Sequence, residues 1–236
     1  MIMEHKRLTL FAGHYGSGKT NIAVNYALHL AKDGKPVCIA DLDIVNPYFR
    51  TKDSEKELTA AGIELISPQF ANSNVDLPAL PAESYRLVQD KSIYGIMDIG
   101  GDDRGAYALG RFAPMILEEG NYRMAFVANC YRPLTRTPED ALEIMKEIES
   151  ACGLKFTCLV NNSNLGPETT PETIGDSLDY IEKLRELSGL PLWLHTAEAA
   201  IVHALPETVT PVLPLHLQEK YFALPSQKPV ARPLWG

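Results

Sequence analysis

The sequence predicts an α/β fold: a mostly parallel sheet with helices on both faces. Three observations predict it. Short apolar runs alternate with segments of helical period along the whole chain. The runs are near-continuous in apolar residues, as buried strands are. And a glycine-rich turn, Gly13 to Thr20 (GHYGSGKT), joins the first run to the first helical segment.

The elements follow in order. RLTLFAG is a buried strand, and KTNIAVNYALHLAKDGK is a helix whose Ile22, Ala23, Tyr26, Ala27 and Leu30 recur on one face and whose stop is Gly34. PVCIADLD is the second strand. DSEKELTAAG is a short helix closed by Gly62, and IELISP is a further strand. QFANSNVDLPALP is polar and proline-rich, a loop, and PAESYRLVQD a helix. YGIMDIGG is a third clear strand. AYALGRFAPMILEEG is one helical stretch, with a kink expected at Pro114. YRMAFVANC is a strand. TPEDALEIMKEIESACG is a helix capped by Thr137, with Pro138 in its first turn and Asp140 as the acidic third position. KFTCLVNN is a strand, and TPETIGDSLDYIEKLRELSG is a long helix with the same Thr-Pro start. LPLWLH is a strand, AEAAIVHAL a short helix, and PVLPLHL and QEKYF close the body. No linker divides the chain, so residues 1–236 are read as one domain, with an extended proline-rich tail over 224–236.

The bulk numbers exclude several classes. With 236 residues, 45% of them hydrophobic and 22% charged, the chain is long enough for a sizeable core. The net charge of −8 argues against non-specific DNA binding and against anionic membranes. The four cysteines, Cys38, Cys130, Cys152 and Cys158, form no C-x-x-C pair, so neither a zinc ribbon nor a thioredoxin motif is expected. The N-terminal residues show no secretory signal, and no apolar run is of spanning length, so a cytoplasmic protein with reduced thiols is expected. His195 and His203 have too few ligand types around them for a metal site.

Gly13, Gly18, Lys19 and Thr20 match G-x-x-x-x-G-K-[ST] between a strand and a helix, the context that motif needs. Its glycines let backbone N–H groups turn inward on phosphate oxygens, and the helix start points its positive dipole end at them. Lys19 would reach the terminal phosphates and Thr20 would hold Mg²⁺. Gly13, His14, Tyr15, Gly16, Ser17, Gly18, Lys19, Thr20 and Asn21 are therefore the expected cofactor-binding stretch, and the fold expectation sharpens to a three-layer P-loop NTPase. A dinucleotide fingerprint is the nearest mimic, but its third glycine place holds Asn21.

The metal and the attacking water need acids. Asp41 and Asp43, two apart at the end of a strand, would face the same way. Asp98 ends the third clear strand and suits a Mg²⁺-bound water, and Gly100 and Gly101 permit a turn along the γ-phosphate. Lys19, Asp41 and Asp43 are the catalytic candidates, and Thr20, Asp43 and Asp98 the metal candidates. LVNNSN offers amides to a base edge. The guanine-reading N/T-K-x-D is missing from it, which favours ATP over GTP.

Together the phosphate loop, DLD after the second strand, DIGG after the third and VNN after a late strand resemble the MinD/ParA group of P-loop ATPases. That group includes the nitrogenase iron protein, nickel-insertion ATPases and the CobQ/CobB relatives. The resemblance implies ATP and Mg²⁺ as cofactors. It implies that Asp43 orients the attacking water in a first switch region that includes IVNPYFR, with Asn46, Tyr48 and Arg50 near a partner or a second subunit. It implies that Asp41 supports that acid or the metal, that Asp98 heads the second switch, and that Asn162, or else Asn161, contacts adenine. One place departs from the group: where a lysine commonly follows the first glycine and reaches across a dimer, this chain has His14, followed by the bulky Tyr15. No cluster cysteines stand in DIGGDDRGAY, so no iron–sulfur site is implied.

Two functions fit. One is an ATP-hydrolysing switch that acts on an unidentified protein partner, as a possible homodimer, in metal-centre or cofactor maturation, with neither DNA nor membrane as a partner. The other is an ATP-dependent small-molecule kinase or ligase resembling dethiobiotin synthetase, in which Arg50, Arg104 and Arg111 would hold an acidic substrate.

Overall fold

A computed structural model describes residues 5–42, 51–67, 82–101 and 103–217. Among these, eight strands form one parallel sheet. They are β1 (Leu8–Ala12), β2 (Val37–Leu42), β3 (Glu64–Ile66), β4 (Tyr94–Ile99), β5 (Tyr122–Ala128), β6 (Cys158–Asn161), β7 (Leu192–Glu198) and β8 (Val212–Leu215). The order across the sheet is β3-β2-β4-β1-β5-β6-β7-β8. Every neighbouring pair runs parallel. Pro214 sits in β8, the edge, where its missing N–H breaks no ladder on the outer side.

Among the described residues eight helices pack on the sheet: α1 (Lys19–Lys32), α2 (Glu55–Ala60), α3 (Arg86–Gln89), α4 (Asp103–Gly110), α5 (Ala113–Glu119), α6 (Pro138–Cys152), α7 (Pro171–Gly175) and α8 (Leu178–Ser188). Alternation along the strands sends side chains to two separate cores. Leu8, Leu10 and Ala12 of β1 join Met97, Leu109, Phe112, Met145 and Leu184 on one face. Phe11 joins Ile22, Tyr26, Leu30, Ile39 and Leu58 on the other. The result is the expected three-layer α/β sandwich, with α3 to α6 and α8 under one face and α1 and α2 over the other.

Most local expectations hold for stated reasons. Thr137 caps α6 in a full capping box with Asp140, and Gly153 ends it in the left-handed region. Three expectations need correction. Pro114 does not kink a helix; it lies in the first turn of α5, and α4 ends before it. The long helix after Thr170 is two helices, α7 and α8. Ser177 donates its hydroxyl back to the Ile174 carbonyl and accepts from Asn161, which competes with helix continuation just after Gly175. AEAAIVHAL is not a helix: β7 runs on to Glu198 because His195 to Glu198 pair with Val212 to Leu215, and only a 3₁₀ turn, Val202–Ala204, follows. Sheet pairing there overrides alanine's helix propensity. QEKYF and the tail 224–236 lie outside the described residues.

Candidate functional site: the phosphate loop and its cleft

The loop leaves the carboxyl end of β1, the sheet's centre, and enters α1. Ligands of open parallel sheets bind at these carboxyl ends. Gly13, Gly16 and Gly18 all have positive φ, at 150, 76 and 91°. At two of them space demands glycine as well. A Cβ on Gly13 would lie 2.7 Å from the Val127 carbonyl oxygen, and one on Gly18 2.2 Å from the Asn162 amide nitrogen. Gly18 is the N-cap of α1 and offers no side-chain cap, so the helix's first N–H groups face outward into the loop.

Lys19 is buried, and its Nζ donates to the His14 carbonyl oxygen at 3.2 Å, across the loop from its own Cα. Ser17 is buried, and its Oγ meets no protein partner; nor does the Asn21 Oδ1. Thr20 is half-buried in the first turn of α1. His14 turns its Nδ1 to the Tyr15 carbonyl oxygen at 3.0 Å, and Tyr15 is exposed. These residues fit a phosphate chain: a glycine cradle that any Cβ would fill, a helix N-terminus, a cation across the loop and an unmatched hydroxyl. Thr20 also carries the hydroxyl a Mg²⁺ ion would need.

The acids stand beside this loop. Asp41 and Asp98 are register partners on β2 and β4, and both are buried. Asp98 Oδ2 accepts a hydrogen bond from the buried Thr51 Oγ at 3.2 Å, which ties the chain returning to the sheet at Thr51 to the end of β4. The turn after Asp98 presses on the phosphate loop: a Cβ on Gly101 would fall 2.5 Å from the Tyr15 amide nitrogen. Asp43, Asn46, Tyr48 and Arg50 lie outside the described residues, as does the whole of the loop QFANSNVDLPALP. Arg111 is exposed.

Beyond the loop opens a cleft of about 550 Å³, counting its open mouth, between the ends of β6, β7 and β8. Asn162 lines it, but its amide is already engaged. Its Nδ2 donates to the Ser17 carbonyl oxygen at 2.6 Å, and its Oδ1 accepts from the Thr196 hydroxyl. It fastens the end of β6 to the phosphate loop. Asn161 faces inward, to Ser177 at 2.9 Å and to His195 Nδ1 at 3.2 Å. His195 is a core residue, and burial lowers its pKa. Three cysteines are core as well, and burial pushes the Cys38 thiol up to about 12 and the Cys158 thiol up to about 11.

Sequence reasoning missed Arg132. It follows β5, and a Cβ on Gly16 would meet its Nε at 3.8 Å. That Nε is buried with no protein partner, and the residue lines the cleft with Asn164, Thr169, Thr196 and Glu198. Its place just past a strand's carboxyl end, beside the phosphate loop, was the available signal.

No protein-family model and no curated protein matches the chain. Solved structures do. The cell division protein FtsY of Thermotoga maritima aligns with a TM-score of 0.53 at 19% identity, over 80% of this chain and 60% of that one. The signal recognition particle 54 kDa protein of Aeropyrum pernix, solved with GDP, aligns with a TM-score of 0.51 at 14% identity, over 80% of this chain and 40% of that one. FtsY of Elizabethkingia anophelis, also with GDP, gives 0.51 at 15% identity, over 80% and 56%. The chain thus spans about 40–60% of the length of these proteins. At such identities the likeness establishes the fold, that of a P-loop NTPase. These neighbours belong to the signal-recognition lineage, a different P-loop lineage from the MinD/ParA group that the motifs resemble. Among the described residues no helix is long and apolar enough to cross a membrane.

Proposed function

We propose that this chain is a Mg²⁺-dependent ATP-binding switch that hydrolyses ATP and acts on a protein partner. The observation that carries the reading is the phosphate loop itself. Three positive-φ glycines, a helix N-terminus without a side-chain cap and Lys19 stand together at the end of β1, with an open cleft beside them. A bound Mg-nucleotide supplies the terminal anhydride whose cleavage resets the switch.

The chain's own residues divide the work. Lys19 would exchange the His14 carbonyl for the terminal phosphates, Thr20 would hold Mg²⁺, and Asp98 is the acid suited to a Mg²⁺-bound water. Asp43, the residue after β2, orients the attacking water, and Asp41 supports it. Gly101, packed against Tyr15, and Gly100, packed against Gly105 of α4, carry the state of the γ-phosphate site to that helix. The base enters the cleft past Asn162, whose tie to Ser17 sets the loop and the cleft wall at a fixed distance. ATP is preferred to GTP because no aspartate follows Asn161 and Asn162 to read guanine. Arg132 supplies, from the same chain, a second positive charge beside the loop in which His14 stands at the lysine's place. The setting we favour is metal-centre or cofactor maturation, in line with the MinD/ParA resemblance, and Tyr15 and Tyr107 are exposed aromatic side chains on the loop and on α4 that a partner or a second copy can cover.

The test is the mass of the full chain by light scattering with Mg-ATP, Mg-ADP and Mg-GTP, beside a phosphate-release assay. A dimer with ATP alone, and ATP turnover above GTP turnover, is the expected result. Preference for GTP would overturn the base assignment. Nucleotide binding and turnover at a constant mass would overturn the dimerising switch and turn attention to small acidic phosphate acceptors.

A further inference from the structure

A second cluster of ligand-type side chains lies at the other end of α1. His5 stands just before β1, His29 is in the last turn of α1, and Asp33 is that helix's C-cap. The Asp33 Oδ2 lies 3.6 Å from His5 Nε2 and 4.0 Å from His29 Nε2. All three donor atoms fall within 4.8 Å of one another. Donors bound tetrahedrally at about 2.0–2.1 Å from one ion sit about 3.4 Å apart. Small side-chain rotations therefore close the set, and His29 and Asp33 at i and i+4 already share a helix face.

The cluster is also held the way ligands are held. His5 is largely buried, and its other ring nitrogen, Nδ1, lies 3.1 Å from the Tyr26 hydroxyl in the core. With an ion bound, a proton on Nδ1 shared with that oxygen would leave the Nε2 lone pair for the metal, the outer-shell arrangement that fixes a ligating tautomer. His29 and Asp33 are partly exposed, which leaves an entry path and room for a water as fourth ligand.

We propose that His5, His29 and Asp33 bind one divalent transition-metal ion of the zinc type, apart from the nucleotide site. Two imidazoles and one carboxylate suit Zn²⁺, Co²⁺ or Ni²⁺ rather than Mg²⁺ or Ca²⁺, which take oxygen ligands. The 14 residues of α1 put the site about 20 Å from the phosphate loop. An ion there would staple the residues before β1 to the end of α1.

The test is calorimetric titration of Zn²⁺ alone into the full chain, free of nucleotide and Mg²⁺, with the Co²⁺ visible spectrum as the readout of geometry. One ion per chain is expected, with affinity at least about 10-fold weaker in His29→Gln and in His5→Ala, and unchanged in Lys19→Ala and in the distant His203→Gln. His29 is exposed enough that its variant folds even where the His5 variant does not. Absent binding, or Zn²⁺ affinity and a Co²⁺ spectrum unchanged by His29→Gln, would overturn the proposal. Loss of the ion in Lys19→Ala would move it to the phosphate loop.

Discussion

The two ends of β1 are built from similar polar chemistry used in opposite ways. At the amino end Arg7 is buried, and each of its three guanidinium nitrogens donates. Nε and Nη2 grip the two carboxylate oxygens of Glu119, and Nη1 meets the carbonyls of Leu87, Asp90 and Ile93 at 2.9–3.2 Å. Lys91 adds a third cationic contact to Glu119 at 2.7 Å. At the carboxyl end Ser17 Oγ, Asn21 Oδ1 and Arg132 Nε are buried with no protein partner. A buried polar atom without a partner costs about 1–3 kcal/mol. The first end is a closed network that locks β1 to the chain around α3 and α5. The second keeps three buried polar atoms beside the phosphate loop that no protein group meets, so the same kinds of polar side chain are closed into a network at one end and left unmatched at the other.

The largest effect should come from breaking the closed end. Arg7→Ala leaves Glu119 buried with its main partner gone, and such losses run to about 3–5 kcal/mol. Urea unfolding should show that loss, while the folded fraction keeps Mg-ATP affinity within about twofold. A large affinity change would erase the division between the two ends. Next, Gly18→Ala should cost about 1–3 kcal/mol, since its Cβ meets both a positive φ and the Asn162 amide. Gly34→Ala, with similar φ but open space, should cost clearly less in the same thermal melts. Arg132→Ala should leave stability nearly unchanged and weaken Mg-ATP about tenfold by calorimetry, about 1.4 kcal/mol. Destabilisation without an affinity change would make Arg132 scaffold.

The smallest effect is acid dependence at the closed end. Burial alone would raise the Glu119 carboxyl, but the hydrogen bonds from Arg7 and Lys91 and their charges hold it below its ordinary 4.5. A depressed carboxyl contributes stability that is full above its unfolded value and is lost as pH falls through the folded one. Wild-type stability should therefore drop as pH falls below about 4.5, more steeply than in Glu119→Gln. Parallel pH profiles would remove Glu119 from the network's account.

The sequence disclosed what local chemistry decides. The phosphate loop, the strand–helix alternation and the Thr137 cap each depend on residues within a few positions of one another, and each stands where expected. What distant residues decide was illegible. The break at Ser177 depends on Asn161 across the sheet edge, and the length of β7 depends on β8. Asn162 looked like a base reader because it ends a strand near the site. Only the packing brings Ser17 and Thr196 to both ends of its amide. Arg132 was hidden for the same reason, since 116 positions separate it from the Gly16 it lies beside.

The central claim is that the groups left unsatisfied around Gly13 to Thr20 belong to a nucleoside triphosphate. Calorimetric titration of Mg-ATP into the wild-type chain and into Lys19→Ala tests it most directly. The account predicts one site per chain in the wild type and an affinity at least about 100-fold weaker, about 2.7 kcal/mol, in the variant. Equal affinity in the two, or no binding by a folded wild-type chain, would contradict it.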